Sequence, residues 1–576
     1  MSPTARNQFL KCASALSSAG LVVAYCVFLT PLWHVNDDIG ILFFATGVLD
    51  GNPTWQIPFV APIAAALIRL STAILGPAGY GILLVSLLYA SFWELTSSIA
   101  AYCSAKRSFP MLVPVAAVIV NLVALFVTLQ NLSFTTVAGV SSTFLIASTC
   151  LRADALSHTG HRRVFWGAAL LFVAYSLRPG PSLIALTILV PLWLRRTTQT
   201  RWTVTPLAFI GAWLVNNSFE LFRSPTYQEW HEFNIVRGSL HGNRRLSETS
   251  SAMLDEVGWS TNDFNLFRSF LHFDALKFNV DSLRVLQGLL GTDLTSQLQQ
   301  LSSARLVESL TLLRELALFI ALATMVVVLK ANKLSRLHLI LSGRLLGTLA
   351  LALVIANSLS GIRLPFRIES TILLATIMSA LCILMIDNPD PHARAGDGAS
   401  FVPRASSRSA GVSIFILASV LSLQAVRLHT VHLSDHLSTR TERVEASLRH
   451  EHVAALLKGR EADEITLVMP GTEVLQLRSP FSRSEIYSSG LIRFGWSVGS
   501  PGWESRNRLL GIDVRDVLLR SQEPEGSVRK ISILSFAYPK VISTYIFEET
   551  GRVPSFEPGP CAATDNQKPC LWVLSK

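Results

Sequence analysis

Long stretches of the chain carry no charge, and their lengths cluster around what a bilayer requires. An apolar core about 30 Å thick takes about 20 residues of helix. Uncharged runs of that order lie at 12–33, 80–103, 110–130, 132–151, 164–177, 179–194, 202–219, 310–329, 345–362, 370–386 and 410–426. The pattern predicts about eleven transmembrane helices. The first run follows Arg6 and Lys11, is too long for a signal-peptide core and has no small-residue cleavage site after it. It therefore reads as an uncleaved helix with a cytoplasmic N-terminus. Runs 164–177 and 179–194 meet at Arg178-Pro179-Gly180-Pro181, and two prolines with a glycine predict a break into two passes, with one kinked helix as the alternative.

A further apolar segment, 57–75, decides the topology. It carries Arg69 and has Pro53, Pro58 and Pro62 nearby. Counted as a span it would put most basic loops outside. Read as re-entrant, or as lying on the outer face, it leaves Lys106, Arg107, Arg152, Arg162, Arg163, Arg195, Arg196 and the basic residues of 330–344 inside, as the positive-inside rule demands. Three regions then face outward: 34–79, a large loop at 220–309, and everything after 427. In the loop, Phe264, Phe267, Phe270 and Leu271 fall on one helical face, which suits a surface helix roofing a cavity. The tail opens with a helical stretch at 439–458. It then alternates strand-like runs, 464–469 and 530–536, with turns. The predicted fold is an all-α polytopic membrane protein with a small C-terminal extracytoplasmic α/β domain, divided into 1–428 and 429–576, in the plasma membrane.

Composition agrees with this reading. Of 576 residues 50% are hydrophobic and only 15% charged, against ~25% charged in soluble domains, and mean hydropathy is +0.42. The formal net charge of +10 could point to nucleic acid. Its location in inner loops makes it an orientation signal facing anionic lipid, and no nucleic-acid partner is expected. Cys561 and Cys570 lie in the outward tail, where disulfides persist, and are expected to pair. The other five cysteines fall in or beside apolar runs.

The densest polar cluster beside a span is His34-Val35-Asn36-Asp37-Asp38. Adjacent carboxylates repel, so one can be held near neutrality as a general base; acidic residues also commonly mark the outer end of a span. Arg178, Arg363 and Arg367 sit at outer helix ends and Arg237 in the outer loop. Each can bind phosphate oxygens bidentately or snorkel to headgroups. His429, His432 and His436, with Asp435, share a helical face that could ligate a metal or simply be solvated. Gln130, Asn131, Thr135 and Thr136 can contact a sugar or satisfy a turn. Nucleotide-binding and hydrolase motifs are absent.

The order of features in the first outer loop resembles that of the GT-C glycosyltransferases: an acidic pair after helix one, a mostly apolar segment followed by Asp50-Gly51, a proline-bearing apolar segment, and Gly76-Pro77-Ala78-Gly79 into helix two. Those enzymes transfer sugars from polyprenyl-phosphate donors outside the membrane. The chain is also similar to bacterial multi-pass proteins with an Asn-Asp-Asp first loop, a Phe134-Thr135-Thr136 segment and an Arg237-Gly238-Ser239-Leu240-His241 stretch. The resemblance implies a hexosyl or pentosyl transferase, Asp37 or Asp38 as base or ligand of a divalent cation, and substrate contacts at Arg178, Arg237, His241, Arg363 and Arg367. A transporter or lipid flippase, with Glu94 as an intramembrane carboxylate able to pair with a basic residue or line a cavity, and a non-catalytic envelope scaffold are the alternatives.

Overall fold

The computed structural model describes residues 19–290 and 464–575, interrupted at 21, 28–30, 34–35, 49–52, 106–111, 156–160, 195–203, 471–479, 482–490, 521–529, 536–537 and 562–569, together with 368, 371–372, 374–379 and 382. Arg363, Arg367, the histidines at 429, 432 and 436, the stretch 439–458 and the runs 310–329, 345–362 and 410–426 lie outside the described residues.

The helical part is built from α1 (Asn36–Thr46), α2 (Pro62–Leu75), α3 (Ala78–Ala105), α4 (Leu112–Gln130), α5 (Phe134–Ala155), α6 (His161–Leu177), α7 (Pro179–Leu194) and α8 (Val204–Glu220). Two described stretches, Ala78–Cys103 and Phe134–Arg152, are long and apolar enough to cross a bilayer, and the second is 94% buried within the molecule. Its serines, threonines and glycine let neighbours approach closely. Ser142 donates to Ser182 at 2.8 Å, and a Cβ on Gly139 would stand 2.0 Å from Thr371 Oγ1. Helix α2 has fourteen residues, reaching about 21 Å at the helical rise, less than a bilayer core. Its Ala64, Ala65 and Ile68 are buried while Leu70 and Ile74 are exposed.

Helices α6 and α7 are separated by Arg178 alone. Ser182 Oγ nevertheless donates to the carbonyl of Ala174, eight residues back, at 3.4 Å. In a continuous helix those groups would be about 12 Å apart along the axis, so the chain turns sharply at Arg178, as its Pro-Gly-Pro sequence dictates. The first apolar run, in contrast, does not stay helical to its end. Leu32–Trp33 forms a strand, β1, paired in parallel with β2 (Asn131–Leu132).

Beyond α8 come α9 (Pro225–Gly242), α10 (Ser251–Val257), α11 (Thr261–Arg268) and α12 (Val280–Leu289). The C-terminal part is a five-stranded sheet of β3 (Ile465–Val468), β4 (Leu491–Arg493), β5 (Ile531–Ser535), β6 (Ser555–Cys561) and β7 (Cys570–Ser575), with α13 (Pro501–Leu510), α14 (Val514–Arg520) and α15 (Lys540–Thr550). Strand order is β4-β3-β5-β7-β6. Strands β3, β4 and β5 are parallel, and β7 runs antiparallel to both β5 and β6. Cys561 and Cys570 are disulfide-bonded across the β6–β7 hairpin.

The outer loop and this sheet share one hydrophobic core. Phe264, Phe267, Leu271, Phe273 and Leu286 pack with Ile465, Phe494, Ile533 and Tyr545. The apolar face of α11 that reads as a membrane-surface roof is thus turned into the sheet domain, although the sequence groups the loop with the helical unit. The helix also stops at Arg268, so Phe270 leaves its face and takes φ +58°. A charged clasp seals the joint. Buried Asp274 accepts from Tyr545 at 2.8 Å and from Arg515 Nε at 3.1 Å. Lys277 bridges Asp263 at 2.9 Å and Glu549 at 2.7 Å. Burial opposes the Lys277 charge, but those two carboxylates outweigh it and hold the ammonium above its ordinary pKa.

Candidate functional site

The eleven-residue helix α1 collects contacts from all parts of the molecule. At its start Asp38 is fully buried. Its Oδ1 accepts from Tyr80 Oη at 2.8 Å and from the backbone N–H of Phe134 at 3.0 Å. Phe134 opens α5, where orphan N–H groups and the helix dipole favour an anion. The carboxylate therefore caps α5 from a distant part of the chain and ties it to α3 through Tyr80, whose ring stacks on Trp33 at 5.0 Å. Asp37, one residue earlier, is half-buried. The two acids of the pair thus have different surroundings: Asp38 is held inside the fold, and Asp37 retains access.

Arg178 meets the same place from the α6–α7 turn. Its Nη1 donates to Phe59 O at 2.8 Å, and its guanidinium lies 5.9 Å from the Phe59 ring and 5.7 Å from that of Phe134. Asp38 and Arg178 therefore both contact Phe134. Phe59 itself has φ +70°, a conformation rare for a side-chain-bearing residue. It is anchored where the 53–61 segment threads between helices: Ala61 N donates to Ser176 O at 2.9 Å, and Asn216 accepts from Ile63 N at 3.2 Å.

Arg237 comes from α9 and is 4% exposed. Burial lowers its pKa to about 10, with Asp37 acting in the opposite direction. Asp37 and Arg237 are thus electrostatically coupled. Nη2 of Arg237 donates to Asn234 at 2.5 Å, and the guanidinium lies over Phe270 at 5.4 Å. His241, one turn on, is turned elsewhere: its ring nitrogens face the carbonyls of Arg237 at 3.2 Å and Phe267 at 3.0 Å. Burial, and then Arg237, push its pKa down to about 4. Nε2 faces α11 and Nδ1 its own helix; the neutral ring carries one N–H and so donates to one of the two carbonyls.

The sheet domain reaches α1 further along, at Gly40, Phe43 and Phe44. Arg493, at the end of β4, lies over the Phe43 ring at 5.5 Å. Trp496 stacks on Phe44 at 5.9 Å and meets Phe59 edge-on at 4.8 Å. Gly40 is required there, because a Cβ would fall 1.9 Å from the Trp496 ring. Trp230 Nε1 donates to Val498 O at 3.2 Å. Arg223 is buried, pairs with Glu220 at 2.6 Å and donates to Val60 O at 3.3 Å.

Of the residues singled out from sequence, Asp37 and Asp38 lie in the first turn of α1, Arg237 is coupled electrostatically to Asp37, and Arg178 meets Asp38 at Phe134. Cys561 and Cys570 belong to the sheet's edge hairpin. Thr135 and Thr136 lie buried in the first turn of α5. Tyr80, Arg223, Arg493, Trp496 and His272 carry no motif, and only distant contacts bring them here. Glu94 pairs with Arg152 at 2.8 Å, so Arg152 is part of a buried ion pair in α5 and not a free charge of an inner loop. Among the described residues no group of three His, Cys, Asp or Glu side chains comes together.

No family model matches the chain, and no curated protein matches it. Among solved structures it is similar to ArnT from Cupriavidus metallidurans bound to undecaprenyl phosphate, at 11% identity over 99% of this chain and 98% of that one, with a TM-score of 0.38. A likeness of that degree bears no weight on fold or function.

Proposed function

We propose that the protein is a multi-pass plasma-membrane glycosyltransferase that takes sugar from a polyprenyl-phosphate donor and places it on an envelope glycan or lipid, with its N-terminus cytoplasmic and its C-terminal domain, from about 429, extracytoplasmic. The observation that carries this reading is the half-buried carboxylate of Asp37 in the first turn of α1, coupled electrostatically to the Arg237 guanidinium, with Arg178 and Asp38 both meeting Phe134. Sugar transfer needs a base for the incoming hydroxyl and fixed cations for the departing phosphate. In this reading Asp37 takes the hydroxyl proton or holds a divalent cation, Asp38 positions α1 against α5, and Arg178 and Arg237, joined by Arg363 and Arg367, contact phosphate. The first-loop resemblance supports the same assignment.

The test compares the envelope glycans and lipids of cells carrying the wild-type protein, no protein, or Asp37→Asn. The expected result is a species lost with the protein and not restored by Asp37→Asn, although that variant inserts and folds. A glycan and lipid profile indifferent to the protein sinks the proposal.

A further inference from the structure

Two buried polar side chains that interact electrostatically stand out beyond α8. His272 and Arg237 are each 4% exposed. Neither ring nitrogen of His272 has a hydrogen-bond partner among the described residues, and the same holds for Nε and Nη1 of Arg237. Leaving a buried polar group unmade costs about 1–3 kcal/mol, and such groups in native proteins generally mark a water, ion or ligand. The surroundings sharpen the choice. The His272 ring lies among Phe233 at 5.4 Å and Phe267 at 6.5 Å. Burial, then Arg237 and His241, hold the imidazole far below its usual pKa, so it is neutral, with one donor and one acceptor nitrogen.

We propose that His272 and Arg237 together form a buried oxyanion site, in which the guanidinium binds phosphate oxygens and the neutral imidazole supplies a further hydrogen bond from the opposite side. The pairing is asymmetric for a physical reason. A second cation beside Arg237 would be costly in this apolar pocket wall, whereas a neutral N–H adds directionality without charge repulsion. Phe270, whose ring lies over the guanidinium and against His241 at 4.1 Å, fixes the plane in which Arg237 presents its nitrogens. The site adjoins Asp37, which acts electrostatically on the same guanidinium. It rests on the transferase reading only for the source of the phosphate, which is either a lipid phosphate or free phosphate.

The full chain is reconstituted in nanodiscs, and its thermal midpoint and binding are followed with two probes, inorganic phosphate and undecaprenyl phosphate. Either probe raising the midpoint of the wild type supports the site; a response to the lipid alone, competed by inorganic phosphate, identifies the lipid source. Arg237→Gln is expected to abolish the response. His272→Ala is expected to weaken binding by at least about tenfold, while His272→Gln, which keeps a donor and an acceptor, retains most of it. Should His272→Ala not fold, His272→Met, apolar and of similar size, carries the same expectation. No response of the wild type to either probe means that water fills the site and overturns the proposal, as does wild-type binding by His272→Ala or His272→Met. Phosphate binding lost in the variants together with an unchanged envelope profile keeps this site and sinks the transferase; transfer retained without His272-dependent binding does the reverse.

Discussion

Arg152 and Arg237 are buried to the same degree, each 4% exposed, and they are treated in opposite ways. Arg152, at the end of α5, faces Glu94 at 2.8 Å and donates to Ser98 at 2.5 Å, and Ser98 in turn meets Ser148 at 2.6 Å. Arg237, at the outer joint, keeps Asn234 as a hydrogen-bonded partner and lets Asp37 act on it from nearby. A charge that only holds helices together is closed off by an opposite charge and hydroxyls. Arg237 instead lies over the Phe270 ring, the setting in which we propose that it serves a ligand. In the proposed reading the directly facing carboxylate of Glu94 marks a structural centre, and the aromatic cover of Arg237 a ligand site.

The comparison breaks most visibly at the structural centre. Removing Arg152 leaves Glu94 buried and uncompensated, so Arg152→Met is expected to destabilise the helical part by about 3–5 kcal/mol, read as lost yield and a lower thermal midpoint in detergent. Adding Glu94→Leu is expected to recover most of that. Next in size is the clasp between loop and sheet. Asp274→Ala strips Tyr545 and Arg515 of their shared acceptor, with an expected loss of about 3 kcal/mol, visible as early proteolysis of the outer domain.

Acid gives a smaller and graded effect. The folded pKa of His241 is about 4 and that of His272 is also lowered, against about 6.5 in the unfolded chain. The unfolded state therefore binds protons first. Stability is intact above about pH 6.5 and falls as pH drops toward 4, by about 1.4 kcal/mol per pH unit for each histidine. Denaturation midpoints measured across that window are expected to flatten in the His272→Gln variant. The smallest stability effect belongs to Arg237→Gln, within about 1 kcal/mol, because relief of the buried charge's desolvation offsets the lost contacts with Asn234 and Asp37. Its cost is expected in function alone.

Features that depend on local pattern were legible in the sequence. The runs 464–469 and 530–536 became β3 and β5, and the break at Arg178-Pro179-Gly180-Pro181 became a sharp turn. What was not legible depends on contacts between distant segments. Nothing near Asp37 and Asp38 tells which of them caps α5, because the deciding groups are Tyr80 and Phe134. The apolar face of α11 looks the same whether its partner is lipid or a sheet more than 190 residues later; only the shared core decides. Trp496 and His272 stand in no motif, and their positions follow from how the sheet domain docks on α1 and α9.

The central claim is that the outer joint around Asp37 and Arg237 binds a phosphate-bearing substrate. A cryo-EM structure of the full chain in nanodiscs containing undecaprenyl phosphate tests it most directly. The account predicts headgroup density within hydrogen-bonding distance of the Arg237 guanidinium and beside Asp37. A headgroup resolved elsewhere, with only water at Arg237 and His272, would contradict it.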